Sequence, residues 1–158
     1  MKPPLFPATA ASTNRPPRRR AREYVVQGLY QARVGGADAA AIEAHVAEAD
    51  DFGRADRPLF LSLLRGVLAR QPELIDTLSP HIDRPFAELS PVEAGILLLG
   101  AFELAHCPET PYRVIINEAI ELAKTFGGTD GHKYVNGVLD KLAPKLRPVE
   151  VEARRAGK

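Results

Sequence analysis

A helix that is apolar on every side is stable only where other protein covers every side, and this chain contains one. Ser90-Pro91-Val92-Glu93 opens it. Serine suits the N-cap, proline the first helical position and glutamate the third, which together read as a capping box. Val92, Ile96, Leu97, Leu98, Leu99, Phe102 and Leu104 then face nearly every direction up to about His106, with Gly95 and Gly100 permitting close neighbours. The stretch predicts a buried central helix, so the rest of the chain has to build a shell around it.

The shell also has helical periodicity. Val25, Leu29 and Ala32 form a stripe widened by Val26 and Tyr30, from about Pro17 to Gly35-Gly36. A short helix is expected over about Ala37–Ala49. Asp56 is placed to cap the next, with Pro58 in its first turn and Phe60, Leu63, Leu64, Val67 and Leu68 at three-four spacing. Pro72 should break it, because it removes an amide donor and crowds the preceding turn. Thr110-Pro111 opens a helix that Gly127-Gly128 stops. Asp130 can cap a last one in which Val135, Val138, Leu139 and Leu142 read i, i+3, i+4, i+7 until Pro144. No strand-like alternation survives beyond four residues, so the fold class is all-α. Residues 1–17 hold five of the 14 prolines and read as a disordered arm, residues 18–147 as one domain, and 148–158 as a flexible tail.

One cysteine, Cys107, excludes an internal disulfide framework and fits a reducing compartment. Pro3, Pro4 and Pro7 interrupt any signal-peptide core, and no run of about 18 apolar residues exists, so a cytoplasmic location without membrane contact is expected. His45, His81, His106 and His132 are scattered without a metal-binding spacing. His106 and Cys107 are adjacent, which on a helix points them about 100° apart and argues for a packed pair instead of a thiol and its base. Gly127-Gly128-Thr129-Asp130-Gly131 resembles a phosphate loop but lacks the lysine after its final glycine and follows no strand, so helix punctuation explains it. Neither enzyme chemistry, metal nor cofactor is expected.

Charge is the feature that points outward. Arg15, Arg18, Arg19, Arg20 and Arg22 fall within eight residues. With Lys2 they give residues 1–22 six positive charges and no acid. The whole chain is only +1, so residues 23–158 sum to −5. A dense guanidinium cluster suits a polyphosphate, although the bland alternative is a solvated basic tail. These charges also oppose the positive end of the helix they open. Of Tyr24, Tyr30, Tyr112 and Tyr134, the last lies outside the apolar stripe of its helix and beside His132 and Lys133. A ring next to cations can make a base-stacking platform.

Arg18-Arg19-Arg20-Ala21-Arg22-Glu23, followed by Val26-Gln27-Gly28-Leu29-Tyr30, resembles the N-terminal signature of the NusB family of bacterial transcription antitermination factors. The block from Pro111 to Lys124, Phe126-Gly127, and His132-Lys133-Tyr134-Val135-Asn136-Gly137-Val138-Leu139-Asp140-Lys141 is similar and more specific. The likeness runs in order through residues 18–147. The proline-rich arm stands apart from it, and Tyr134 occupies a place where some members have phenylalanine.

The resemblance implies about seven helices in two small antiparallel bundles. It implies binding to the boxA element of nascent ribosomal RNA leader transcripts with NusE, the small-subunit ribosomal protein S-ten, and entry through that pair into a complex with other Nus factors on RNA polymerase. RNA contacts are implied for Arg18, Arg19, Arg20, Arg22 and Tyr30, and for Phe126, Asp130, His132, Lys133 and Tyr134. Glu93 falls where the family meets its ribosomal partner. Arg15, in the extension, is set aside. Two alternatives are a detached accessory domain related to rRNA cytosine methyltransferases and a helical homodimeric scaffold.

Overall fold

The computed structural model describes residues 15–157, so the arm expected over 1–17 lies, apart from its last three residues, outside the described residues. Those residues form eight α-helices and no strand: α1 (Pro17–Gly35), α2 (Ala39–Ala47), α3 (Arg57–Ala69), α4 (Gln71–Leu78), α5 (Pro91–His106), α6 (Tyr112–Phe126), α7 (Gly131–Leu146) and α8 (Pro148–Arg155). Helices α1, α2 and α3 pack as one group and α5, α6 and α7 as another, while α1, α3 and α4 also lie against α5. The all-round apolar helix is therefore the shared strut, buried without interruption from Ala94 to Leu104.

Side-chain contacts fix how the neighbours run. Arg22 of α1 meets Glu103 of α5, whereas Leu29 lies by Gly95, so α1 is antiparallel to α5. Glu93 lies by Gly131 and Leu139 by Gly100, so α7 is parallel to it. One end of the molecule thus gathers the start of α1, the ends of α5 and α7 and the start of α6. The other gathers the end of α1, the start of α5 and the start of α7. Two glycines let the helices come this close. The ring of Phe102 fills the space a side chain at Gly66 would need, and a Cβ at Gly100 would stand 2.9 Å from a Leu139 methyl.

Local signals worked where they were chemically specific. Asp56 accepts the Leu59 amide at 3.0 Å, the chain breaks at Arg70 with Pro72 in the first turn of α4, and Gly36 closes α1 in the left-handed region at φ 73°. Others need correction. Ser90 accepts the Glu93 amide at 3.1 Å, but the Glu93 carboxylate lies against Gly131, so only half of the capping box forms. Asp130 holds the N-cap position of α7 without a side-chain cap, and its carboxylate lies 3.5 Å from Lys133. Pro144 does not end α7, which runs on to Leu146 with the proline inside it. It leaves one carbonyl a turn earlier without its amide donor, a cost the following segment can offset by packing.

That segment is the largest departure. Where a flexible tail was expected, Pro148 opens α8 and Val151 is buried. Arg147, between α7 and α8, donates to the carbonyls of Glu103, Leu104, Cys107 and Thr110 and pairs with Glu150 at 2.6 Å. Glu150 also accepts the Tyr112 amide at 2.8 Å. One ion pair therefore satisfies orphan carbonyls at the end of α5 and an orphan amide opening α6.

Candidate nucleic-acid interface

The arginine block opens α1 with proline at the first helical position and no acid in the first turn. Carboxylates from elsewhere in the chain answer the mismatch with the helix dipole. Arg18 lies 3.7 Å from Asp56, Arg19 grips Glu118 through two bonds of 3.1 and 2.9 Å, and Arg20 meets Asp51 at 2.6 Å. Arg22 holds Glu103 at 2.9 and 2.8 Å with both side chains only 3% exposed. Arg15, which the family resemblance leaves outside, pairs with Glu23 at 2.8 Å, and Asp51 also accepts from the Tyr24 hydroxyl.

The cluster is therefore in large part a clamp that ties α1 to α5, α6 and the segment before α3. Arg20 and Arg22 are buried, and a guanidinium held there by a carboxylate is not presented to a phosphate. Arg18 is about half exposed and Arg19 about a third. The hydrogen bonds to Glu118 hold the Arg19 guanidinium more firmly protonated than usual. For Arg22, burial opposes the charge but the Glu103 bonds outweigh it, and the net shift is also upward. Burial pushes the Glu23 carboxyl up, with Arg15 opposing.

The second group gathers at the start of α7. Tyr134 is half-buried, its hydroxyl donating to Asp83 at 3.0 Å and accepting the Asp83 amide at 3.4 Å. The Arg84 guanidinium lies 5.4 Å from the centre of the Tyr134 ring and binds Asp83 through two bonds of 2.8 and 3.1 Å. The bonds from Arg84 and then Tyr134 hold the Asp83 carboxyl down at about 2, and burial pushes the Tyr134 phenol up. Sequence reasoning missed Asp83 and Arg84 because the loop Ile82-Asp83-Arg84-Pro85 has no periodicity. The one available signal was a cation beside a proline turn.

Around this pair, Lys133 and Asp130 are exposed, His132 is half-buried, and Gly131 is buried beside Glu93. Phe126 is a core residue, 5% exposed, and Tyr30 is partly buried against the core. The two groups do not coalesce. Glu103 marks the arginine end of α5 and Glu93 the end where α7 starts, ten residues or about 15 Å apart along the helix.

Among the described residues no group of three or more His, Cys, Asp or Glu could hold a metal ion, and no helix is long and apolar enough to cross a membrane. His106 lies 3.2 Å from Glu73, apart from the thiol. Burial, together with Glu103 and Glu109, pushes Cys107 up to about 11, which makes it a poor nucleophile at neutral pH.

Comparison with known proteins decides what this arrangement belongs to. The NusB family model matches residues 19–144. The chain belongs to the NusB family. The transcription antitermination protein NusB of Dechloromonas aromatica (strain RCB) is 67% identical over 141 residues, covering 89% of this chain and 86% of that protein. The protein of the same name from Azoarcus sp. (strain BH72) is 60% identical over 147 residues, covering 92% and 95%. A solved structure of T. maritima NusB superposes with a TM-score of 0.73 at 30% identity, over 86% of this chain and 97% of that one. Membership in NusB carries the family's broad role, transcription antitermination, which is not an enzymatic one. The two-bundle NusB fold expected from the resemblance is present, with α8 as an eighth helix.

Proposed function

We propose that this NusB-family chain acts in antitermination by binding boxA RNA jointly with the ribosomal protein NusE, and that the pair joins other Nus factors on RNA polymerase. The observation that carries this reading is the half-exposed Tyr134 ring with Arg84 beside it and the exposed Lys133 on the same first turn of α7. A ring and a cation so placed can hold an unstacked base, while phosphate contacts elsewhere set register without discriminating sequence. Arg18 and Arg19, the partly exposed members of the arginine block, supply phosphate contacts at the other end. Arg20 and Arg22 act on RNA only through their hold on α1. Glu93, packed against Gly131, is the proposed contact for NusE.

The curated relatives from D. aromatica and Azoarcus are themselves nearly covered by this chain, which leaves no room in them for a methyltransferase module. The test is a gel shift with boxA RNA, with and without NusE. A complex with boxA that NusE strengthens and that a scrambled sequence does not form supports the reading. An unshifted RNA beside a stable protein dimer would favour the homodimeric scaffold instead.

A further inference from the structure

The free basic charge of this protein is not where the sequence concentrates it. Arg18, Arg19, Arg20 and Arg22 at the start of α1 all have carboxylate partners, whereas Lys141 and Lys145 on α7 and Arg154 and Arg155 on α8 are exposed and make no ion pair among the described residues. Residues 141–158 hold six lysines and arginines against two glutamates, a net +4, while residues 23–140 carry a net −9. Arg154 and Arg113 line one cleft of about 250 Å³ between the start of α6 and α8, with Tyr112 and Glu150. Arg113 reaches Asp140 of α7 at 3.3 Å, next to Lys141. Glu150 is engaged by Arg147 and the Tyr112 amide, and so leaves Arg154 without an ion-pair partner among the described residues.

Helix stability alone does not account for the set. Arg154 and Arg155 suit the negative end of α8 and Lys145 that of α7, but Lys141 stands a turn earlier, and the like charges of Lys141 and Lys145 at i, i+4 weaken the helix. The α7–α8 junction also lies at the arginine end of the molecule. Glu103 takes Arg22 on its carboxylate and Arg147 on its carbonyl, so the start of α1 and the α7–α8 junction meet at the same turn of α5.

We propose that α8 and the last turns of α7 bind the phosphate backbone of RNA flanking the boxA element, at the end of the molecule opposite Tyr134. Lys141, Lys145, Arg154 and Arg155 are the contacting side chains, with Arg113 bordering them. The inference rests on the RNA-binding reading above and adds a second, sequence-independent contact to it.

The test compares the wild-type chain with a variant carrying Lys141→Gln, Lys145→Gln, Arg154→Gln and Arg155→Gln, and with Arg154→Gln/Arg155→Gln alone. Both are checked for helicity and bound to a minimal boxA oligonucleotide and to the same element with unstructured single-stranded flanks. Each cation removed from a single-stranded phosphate should lower the salt slope by about 0.7, so the quadruple variant should drop by roughly 2–3 on the flanked RNA and not at all on the minimal one. The double variant should drop by about half of that, and lysine in place of the two arginines should restore it. Equal slopes for wild type and quadruple variant on flanked RNA would overturn this inference and leave boxA recognition standing. The same equality with loss of NusE binding would also overturn it, assigning the patch to a protein. Failure of the wild type to bind either RNA would overturn both readings.

Discussion

Arg22 and Glu103 form a two-pronged ion pair at 2.9 and 2.8 Å, buried between α1 and α5. The residue that looks in the sequence like part of an RNA-binding block is, in the fold, the charge that holds two helix groups together. Only geometry separates it from Arg18, four positions earlier and about half exposed.

The two arginines should therefore fail differently. Arg22→Ala leaves Glu103 buried without a partner and is expected to cost about 3–5 kcal/mol of stability. Arg18→Ala should cost about 0–1 kcal/mol, since its ion pair is long and solvated. Urea denaturation of both variants measures this. Equal losses would mean that water reaches the Arg22 pair as freely as it reaches Arg18.

Replacing Tyr134 with alanine should weaken boxA binding by on the order of 1–3 kcal/mol while leaving helicity intact. Phenylalanine there removes the bond to Asp83 but keeps the ring, and should retain most of the affinity. Titration of labelled RNA against the three proteins distinguishes stacking from packing. An alanine variant that binds as tightly as wild type makes Tyr134 a structural residue.

The Asp83 carboxyl, held at about 2 by Arg84 and Tyr134, lies below its ordinary value. A depressed folded value means that the ionised group favours the folded state above the ordinary carboxylate range, and that this contribution fades as pH falls toward 2. Carboxyl NMR should show Asp83 titrating well below the ordinary aspartate value. Arg84→Ala should move it upward, and an unchanged midpoint would show that Arg84 is not its partner in solution.

Arg147→Ala should lower stability by about 2–3 kcal/mol, because it strands several carbonyls at the end of α5 together with Glu150. Hydrogen exchange should then quicken in α8 and in the first turn of α6. If protection there is unchanged, α8 is held by Val151 and not by the ion pair.

Much of the fold was legible because helices announce themselves locally. The three-four spacing of Phe60, Leu63, Leu64 and Val67 put those residues in the core, the break at Pro72 followed from a missing donor, and the apolar girdle of α5 placed it at the centre. Helix α8 was hidden by its composition, since a basic segment after Pro144 reads as a tail. Pro148 and Glu150 in its first turn and Arg154 and Arg155 in its last were the available signals. The interface was less legible than the fold. Charge density located the arginines but could not show that Glu103, Glu118, Asp51 and Asp56 would fold back onto them, because each pairing is long-range in sequence. Arg84 was hidden for the same reason, lying fifty residues from the ring it covers.

The packing of Phe102 against Gly66 has a mechanical consequence. The Phe102 ring occupies the notch left by the missing side chain, so α3 cannot slide along α5 by even one residue, about 1.5 Å, without driving the ring into neighbouring side chains or backbone. The two helix groups are keyed together in one register. The α1–α3 group, with the arginine block on it, is thereby held at one height along α5.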